Sequence, residues 1–156
     1  MKKRVLSMLF IAMTMIACSS DDSSNIEDES ISTSEKNNFE VVYTQKGDLD
    51  ESIIIFNMIG VNDGFVASNI IDKEENKDLG DKPFLSMHEK TEGTYAYTVK
   101  DKVESVMITF SSSVDEEASK ALEINIKVLK DDKEVYNQDE KIEIGKTLIS
   151  KSFSVE

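Results

Sequence analysis

The sequence predicts an all-β protein whose folded part, from Phe39 to Glu156, is a single antiparallel β-sandwich. Apolar and polar residues alternate there with a period of two, which is typical of half-buried strands. Turn residues recur roughly every 8–12 positions, and no convincing long helical pattern interrupts them. β-branched and aromatic residues, which favour strands, are frequent in the apolar runs. A small closed β-barrel is the alternative architecture.

Four strands are predicted in the first half of the domain. Residues 39–44 alternate between apolar and polar side chains and indicate a half-buried strand. Residues 52–58 are more continuously apolar, so this segment is expected to be a central strand covered on both sides. A weaker strand covers 65–71, and an edge segment follows Pro83, because proline is tolerated at sheet edges. Turns are predicted at 45–48 and 60–64, and a charged loop at 72–81.

The second half contains the clearest strand patterns. Apolar and polar residues alternate along 95–99 and along 106–110, and a serine cluster is expected to close the latter. The most regular amphipathic strand is predicted at 122–128. Asp131-Asp132 is expected to turn it into a hairpin whose return strand covers 134–137. Further strands are predicted at 142–144 and 148–155.

In architecture, this domain of about 118 residues resembles the immunoglobulin-like sandwiches, which have about 100 residues. Antibody domains have a cysteine pair and a buried tryptophan, whereas this chain has one cysteine and no tryptophan. The resemblance is therefore one of architecture alone.

The first 17 residues have the layout of a secretory signal peptide and are predicted to be removed. Lys2, Lys3 and Arg4 precede an apolar run from Val5 to Ala17. That run is shorter than the roughly 20 residues that a transmembrane helix needs. Its removal leaves 15 basic and 31 acidic residues, a net charge of about −16. A charge of this size keeps a small domain soluble and repels nucleic acid, so no nucleic-acid partner is predicted.

Cys18, the only cysteine, directly follows this run in the sequence Met15-Ile16-Ala17-Cys18. These residues resemble the lipobox of bacterial lipoproteins, although that family usually has leucine where this chain has Met15. The resemblance implies that Cys18 carries a diacylglyceryl group, becomes the acylated first residue of the mature chain, and anchors it to a membrane. An ordinary signal peptide that leaves a cysteine near its cleavage site is the alternative.

The residues that follow the cysteine predict the location of the protein and a tether. Ser19-Ser20-Asp21-Asp22 resembles the start of mature Bacteroidota lipoproteins, which implies an outer-membrane anchor and a domain exposed at the cell surface. Residues 18–38 are rich in serine and acidic residues, and only Ile26 and Ile31 are aliphatic. Such a segment buries too little apolar surface to order itself, so a disordered spacer is predicted.

No catalytic site and no cofactor are predicted, and the chain is not expected to be an enzyme. His88 is the only histidine, no Gly-x-Ser-x-Gly motif accompanies it, and a strand-end position is expected for it. Because Cys18 is expected to carry the lipid, no cysteine is left to act as a nucleophile. The chain also has no tryptophan to stack on a sugar, so no glycoside-hydrolase site is predicted.

No metal site is predicted either. A zinc site is not expected with one histidine and no free cysteine. The acidic clusters at 48–51, 62–63 and 72–81 do not have the spacing of an EF-hand loop, and 72–81 is the best candidate for a calcium site.

The functional hypothesis from the sequence is a membrane-anchored, non-catalytic binding or adhesion module. Its partner is expected to be a protein or a polysaccharide, recognised through loops such as 71–82. Four tyrosines are considered as contact residues, of which the strand-spaced Tyr95 and Tyr97 are expected to pack inside the sheet. An accessory subunit of an outer-membrane assembly is the alternative, and a small hydrolase or protease inhibitor is a minor one.

Overall fold

In the computed structural model, residues 35–146 and 149–156 are described, and the predicted signal peptide, Cys18 and most of the predicted tether lie outside them. Within the described residues, two single-turn 3₁₀ helices occur, at Asp63–Phe65 and Met87–Glu89. The strands are β1 Phe39–Lys46, β2 Ser52–Asn62, β3 Val66–Ser68, β4 Ile70–Asp72, β5 Lys77–Asp78, β6 Phe84–Ser86, β7 Gly93–Val99, β8 Ser105–Val114, β9 Leu122–Lys130, β10 Lys133–Ile142 and β11 Ile149–Val155.

These strands form two antiparallel sheets. The six-stranded sheet has the order β10-β9-β1-β7-β4-β5. In the five-stranded sheet, β11, β8, β2 and β3 are consecutive, and β6 pairs with the same strand β2 as β3 does. The predicted all-β sandwich is confirmed, because the described strands form two open sheets instead of the alternative closed barrel.

The core lies between the sheets and is built from the alternate residues of each strand. Along β1, Phe39, Val41 and Tyr43 have no exposed surface, as the alternating pattern predicted. At its centre the ring of Phe56 packs on Tyr43, with centroids 5.1 Å apart, and on Tyr97, with centroids 5.9 Å apart. Burial raises the pKa of both tyrosine hydroxyls, so they stay neutral at physiological pH.

Strand β2 departs from the prediction that it is covered on both sides. Only the side of Ile54, Phe56 and Met58 is buried, whereas Ile53 on the other side is 53% exposed. The continuous apolar run therefore does not mark a strand between two layers. The strand also extends to Asn62, so the predicted turn at 60–64 is confined to the 3₁₀ turn Asp63–Phe65.

The segment predicted as one strand at 65–71 is divided between the two sheets. β3 pairs with β2, and β4 pairs with β7 of the other sheet, so the chain crosses from one sheet to the other at Asn69. The predicted loop at 72–81 then forms a small hairpin, because β5 returns along β4.

Three further boundaries differ from the sequence prediction. The serines expected to close β8 lie inside it, since the strand runs on to Val114. The pieces predicted at 134–137 and 142–144 are replaced by one strand, β10, with an irregularity in its pairing between Glu134 and Tyr136. Asn37, placed in the predicted tether, is buried and pairs with Val103, so the fold begins before Phe39.

Candidate binding surface

The outer face of the five-stranded sheet carries no charged side chain. Its residues are the outward members of the paired strands and lie in register across β2, β8 and β11. They are Ile53, Ile55, Asn57, Ile59 and Val61 of β2, Ser105, Met107, Thr109, Ser111 and Ser113 of β8, Ser150, Ser152 and Ser154 of β11, Phe84 and Ser86 of β6, and Ala67 of β3. In a chain with 31% charged residues, a whole sheet face without charge is a distinct chemical surface. We call it the uncharged face.

Hydroxyl groups occupy one half of the uncharged face. Thr109 and Ser152 lie opposite each other, with their hydroxyl oxygens 3.0 Å apart. At the next outward pair along the two strands, the Ser111 hydroxyl donates to the Ser150 hydroxyl at 3.1 Å. These pairs satisfy each other within the sheet, so this half is polar but flat and needs no ion or charged partner.

Aliphatic and aromatic groups occupy the other half of the uncharged face. Ile53 is 53% exposed, Phe84 is 69% exposed and Met107 is 37% exposed. Ile55 and Ile59 lie between them on β2 and are half-buried. Large apolar side chains collected on one face, rather than scattered singly, are characteristic of interaction surfaces.

The outer face of the six-stranded sheet is different in character. Glu123 and Lys127 of β9 point outward there, and Lys73 forms an ion pair with Glu40 at 2.6 Å. Lys141 of β10 forms another with Glu143 at 2.9 Å, which raises the pKa of Lys141. Charge is thus confined to one face of the sandwich and to its ends.

The charged residue of β11 does not reach the uncharged face, because its strand alternation directs it to the other side. Lys151 faces inward at the sheet edge and pairs with Glu140 of β10. Beside this pair, the rings of Tyr136 and Phe153 stack with centroids 4.3 Å apart. These contacts close the open side of the sandwich between β10 and β11 and leave only serines pointing outward from β11.

The size of the uncharged face suits a protein interface. The residues of β11, β8, β2, β3 and β6, with strands about 4.8 Å apart and a rise of about 3.4 Å per residue, cover roughly 550 Å². A standard protein interface buries about 800 Å² on each partner, with a core depleted of charge. The face therefore supplies most of such an interface, and its rim supplies the rest.

His88 lies just after the end of β6, in the 3₁₀ turn Met87–Glu89, as the sequence predicted. Its Nδ1 atom is 3.2 Å from both the backbone nitrogen and the carbonyl oxygen of Ile54, on the edge of β2 next to β6. The imidazole thus pairs with the backbone of Ile54, which lies one residue beyond the stretch of β2 that pairs with β6. This geometry is that of a structural residue.

The loop at 72–81, which was the best sequence candidate for calcium, uses its acids as turn acceptors. Asp72 is 4% exposed, and its Oδ1 accepts the backbone N–H groups of Glu74 and Glu75 at 3.0 and 3.2 Å. Asp78 accepts from the Asn69 amide and from the backbone N–H of Gly80, which lowers its pKa. Both carboxylates are therefore committed to the chain itself.

A second acidic region lies at the end of the sandwich where β1 and β8 finish. Glu51, Asp115, Glu116 and Glu117 line an open cleft of about 510 Å³. At the same end, the Ser119 hydroxyl and N–H donate to Asp48 and lower its pKa. Within the described ranges, no three acidic or histidine side chains are grouped closely enough to hold a metal ion. The carboxylates of this acidic end give a negative field without a preformed cage.

The remaining sequence candidates have structural positions or lie outside the described ranges. Tyr43, Tyr95 and Tyr97 belong to the core, and Tyr136 is half-buried on Phe153. Cys18 lies outside the described residues. In the part of the chain that the structure describes, no helix has the length and apolar character needed to cross a membrane.

The uncharged face was not recognised from the sequence, although its signal is present there. The isoleucines at 53 and 55 were assigned to burial because apolar residues without alternation are typical of covered strands, and Ile59 lay outside the predicted strand. The serines of β8 were assigned to a strand end. Together, outward isoleucines on one strand and outward hydroxyls on two others identify a face that is neither core nor an ordinary charged surface.

No family model and no curated protein matches the chain. Solved structures with a similar fold include a domain of unknown function, DUF4425, from Bacteroides vulgatus, with a TM-score of 0.63 and 21% identity over 77% of this chain and 94% of the other. A DUF4425 family protein from Bacteroides ovatus has a TM-score of 0.62 and 21% identity over 78% and 95%. A protein from Parabacteroides distasonis, in a form described as calcium-bound, has a TM-score of 0.60 and 17% identity over 81% and 98%. These proteins share the fold of this chain, and their origin is consistent with a Bacteroidota protein.

Proposed function

We propose that the chain is an outer-membrane lipoprotein anchored through Cys18, whose β-sandwich is a non-catalytic binding module that docks its uncharged face on a protein partner. The observation that carries the binding proposal is the outer face of the five-stranded sheet, where 16 outward residues include no charge. The anchor is supported by the lipobox-like residues before Cys18 and by the acidic serine-rich residues behind it.

A protein is favoured as the partner by the chemistry of the face. Ile53, Phe84 and Met107 are exposed and apolar, and they gain free energy only against another apolar surface. A polysaccharide is bound mostly through planar polar side chains and stacked aromatic rings, whereas the face has one amide, Asn57, and one ring, Phe84. This proposal also covers the alternative of an accessory subunit in an outer-membrane assembly, because such a subunit would bind its membrane partner through the same sheet face.

Calcium is kept out of the proposal. The calcium-bound description belongs to the Parabacteroides distasonis protein, and the carboxylates in the described ranges of this chain form no group that fits a metal ion. Binding experiments with the chain are nevertheless best run both in calcium and in EDTA, since an ion bound at the acidic end would change the field around the domain.

The anchor predicts that Cys18→Ala abolishes lipid attachment. In a Bacteroidota host, the variant should incorporate no labelled palmitate and should remain as an uncut precursor or a soluble form, because no other cysteine can accept the lipid. Labelling and detergent phase partition measure this. Ser19→Ala should behave as the natural chain does. A Cys18→Ala variant that stayed membrane-bound with unchanged mobility would contradict the anchor.

The docking face predicts that one new charge on it disrupts partner binding. A photoreactive benzoylphenylalanine in place of Phe84, which is 69% exposed, should give a discrete protein adduct in cells. Adding Met107→Glu to this chain should weaken the adduct about tenfold or more, because a carboxylate would be desolvated against an apolar surface. Gel analysis with a probe for the chain measures the adduct.

The matched control places the same new charge on the other sheet. Val135 of β10 is an apolar residue with 48% exposure, so Val135→Glu changes the same property away from the uncharged face. It should leave the Phe84 adduct unchanged. Equal losses from Met107→Glu and Val135→Glu, or no protein adduct at all, would reject the face as a docking site. A heterogeneous glycan adduct would replace the protein partner with a polysaccharide.

A further inference from the structure

The tip of the β2–β3 hairpin exposes two apolar side chains to solvent. Phe65 is 93% exposed and Val66 is 62% exposed, the first and third most exposed of the large apolar residues in the described ranges. They lie just beyond the end of the uncharged face, whose last residues on this side, Val61 and Ala67, pair one step before Asn62 and Val66. The pair is thus a separate apolar feature of the domain.

The backbone of the tip holds the Phe65 ring away from the domain. Gly64 and Phe65 both have positive φ angles, 71° and 60°. Glycine adopts this conformation without cost, but a phenylalanine in it is uncommon and strained. No packing contact compensates the strain, because the ring is almost fully exposed. Strain of this kind is found where a residue is presented to a ligand or a surface.

The tip lies at the end of the sandwich where the chain enters from the N-terminal side. Asn37 and Val103 exchange backbone hydrogen bonds of 2.8 and 3.0 Å, and the N–H of Glu104 donates to the carbonyl of Val61 at 3.0 Å. Val61 lies one residue before the end of β2, and the turn that carries Phe65 follows that end. The acidic cleft lies at the other end of β2, where the N–H of Asp115 donates to the carbonyl of Glu51.

The length of the chain before Asn37 permits contact between this end and a membrane. Nineteen residue steps separate Cys18 from Asn37, which is at most roughly 65 Å of fully extended chain and allows every shorter separation. At the entry point, exposed side chains of both signs, Lys36 and Lys102 next to Glu35 and Asp101, flank the Asn37–Val103 bridge and suit the paired charges of zwitterionic lipid headgroups. The acidic end lies at the opposite end of the sandwich and then faces away from the membrane.

We propose that Phe65 and Val66 insert into the interface of a zwitterionic phospholipid membrane and form a second contact beside the lipid on Cys18. This inference rests on the proposed anchor, because one phenylalanine and one valine bury too little apolar surface to hold a free domain on a membrane. Attachment at Cys18 makes the insertion intramolecular and raises the effective concentration of the tip at the bilayer. The domain then stands with its hairpin tip down and with its uncharged face exposed at the side.

Single-tryptophan variants test the insertion, because the natural chain contains no tryptophan. The chain from Cys18 to Glu156, which contains every described residue, is coupled through its only thiol to a maleimide lipid in phosphatidylcholine vesicles. Phe65→Trp should show blue-shifted emission, quenched roughly twofold or more by brominated acyl chains, since interfacial side chains lie about 5–10 Å inside the boundary. Val66→Trp gives a second reading of the same tip.

Two matched variants place tryptophan elsewhere on the domain. Phe84→Trp reports on the uncharged face, and Ile144→Trp reports on the acidic end, next to Gly145 whose N–H donates to the carbonyl of Asp115. Both should keep the emission of exposed tryptophan without quenching. Unquenched emission from both tip variants overturns the inference, as does stronger quenching at either control position. Because the lipid is attached chemically, this result is independent of whether cells acylate Cys18.

Discussion

Phe56→Ala is expected to lower the free energy of unfolding by about 3–5 kcal/mol. Phe56 has no exposed surface and lies at the middle of the sandwich, between the rings of Tyr43 and Tyr97 of the opposite sheet. Its removal deletes both ring pairs and leaves a cavity that β-sheets close poorly, because their strands are fixed by ladder hydrogen bonds on both sides. A typical domain has a total stability of about 5–15 kcal/mol, so the variant loses a large part of it.

Urea unfolding followed by circular dichroism measures this loss. Phe84→Ala is the matched control, since it removes the same side chain from a position that is 69% exposed on β6. Its expected cost is under about 1 kcal/mol, because most of the ring is already in water. Similar losses in the two variants would mean that the aromatic centre of the sandwich is not the main contributor to its stability.

The difference between these two phenylalanines also shows how far the sequence predicts the fold. Along β1 and β9 the alternation of apolar and polar residues was sufficient to identify the strands and their buried sides. The alternation works because one face of each strand meets the core and the other meets water. Where both faces are apolar, as along β2, the pattern no longer distinguishes inside from outside, whereas along β8 it identified the buried residues of 106–110 and missed only the serine end.

The candidate surface was missed for this reason. Ile53 and Ile54 are adjacent and chemically identical, yet one is 53% exposed and the other is fully buried. Only the pairing of β2 with β8 shows which residue points outward, since Ile53 lies opposite Ser113 and Ile54 opposite the buried Ser112. Pairing between distant strands is a long-range property that no local window of sequence contains.

The chain's crossing between sheets at Asn69 was unpredictable on similar grounds. The residues on either side, Ser68 and Ile70, are both buried, so the segment resembles one strand with normal alternation. The crossing depends on separate partners, β2 for β3 and β7 for β4. The predicted hairpin after β9 was correct at its turn, because Asp131 and Asp132 both adopt the positive φ angles that a two-residue turn requires.

Gln45→Glu is expected to destabilise the domain by more than about 3 kcal/mol at neutral pH, since it leaves a charge buried without a partner. Gln45 is 1% exposed, although the sequence placed it in a turn. Its Nε2 lies 2.8, 3.3 and 3.0 Å from the carbonyl oxygens of Met87, Lys90 and Thr91, and donates to them. The side chain thereby fixes the segment from 87 to 91 across the end of β1. In the variant, an oxygen replaces this donor and faces three carbonyl oxygens.

The pH dependence of the variant identifies this mechanism. Burial raises the pKa of an introduced carboxyl in the folded state above its unfolded value of about 4.3, so folding favours the protonated form. The destabilisation is then full above the folded-state pKa and decreases as the pH falls towards the unfolded value, where a protonated carboxyl again supplies a donor. Urea unfolding at several pH values measures it.

Gln45→Met separates the lost donor from the added charge. It has nearly the same shape, loses the hydrogen bonds and adds no titratable group, so its cost should be about 1–3 kcal/mol at every pH. Because the Gln45 Oε1 atom has no partner in the natural chain, removing it relieves part of that cost. A Gln45→Glu loss equal to that of Gln45→Met and independent of pH would show that the 87–91 segment opens and admits water. Gln45 would then not be the residue that keeps this segment closed over the end of β1.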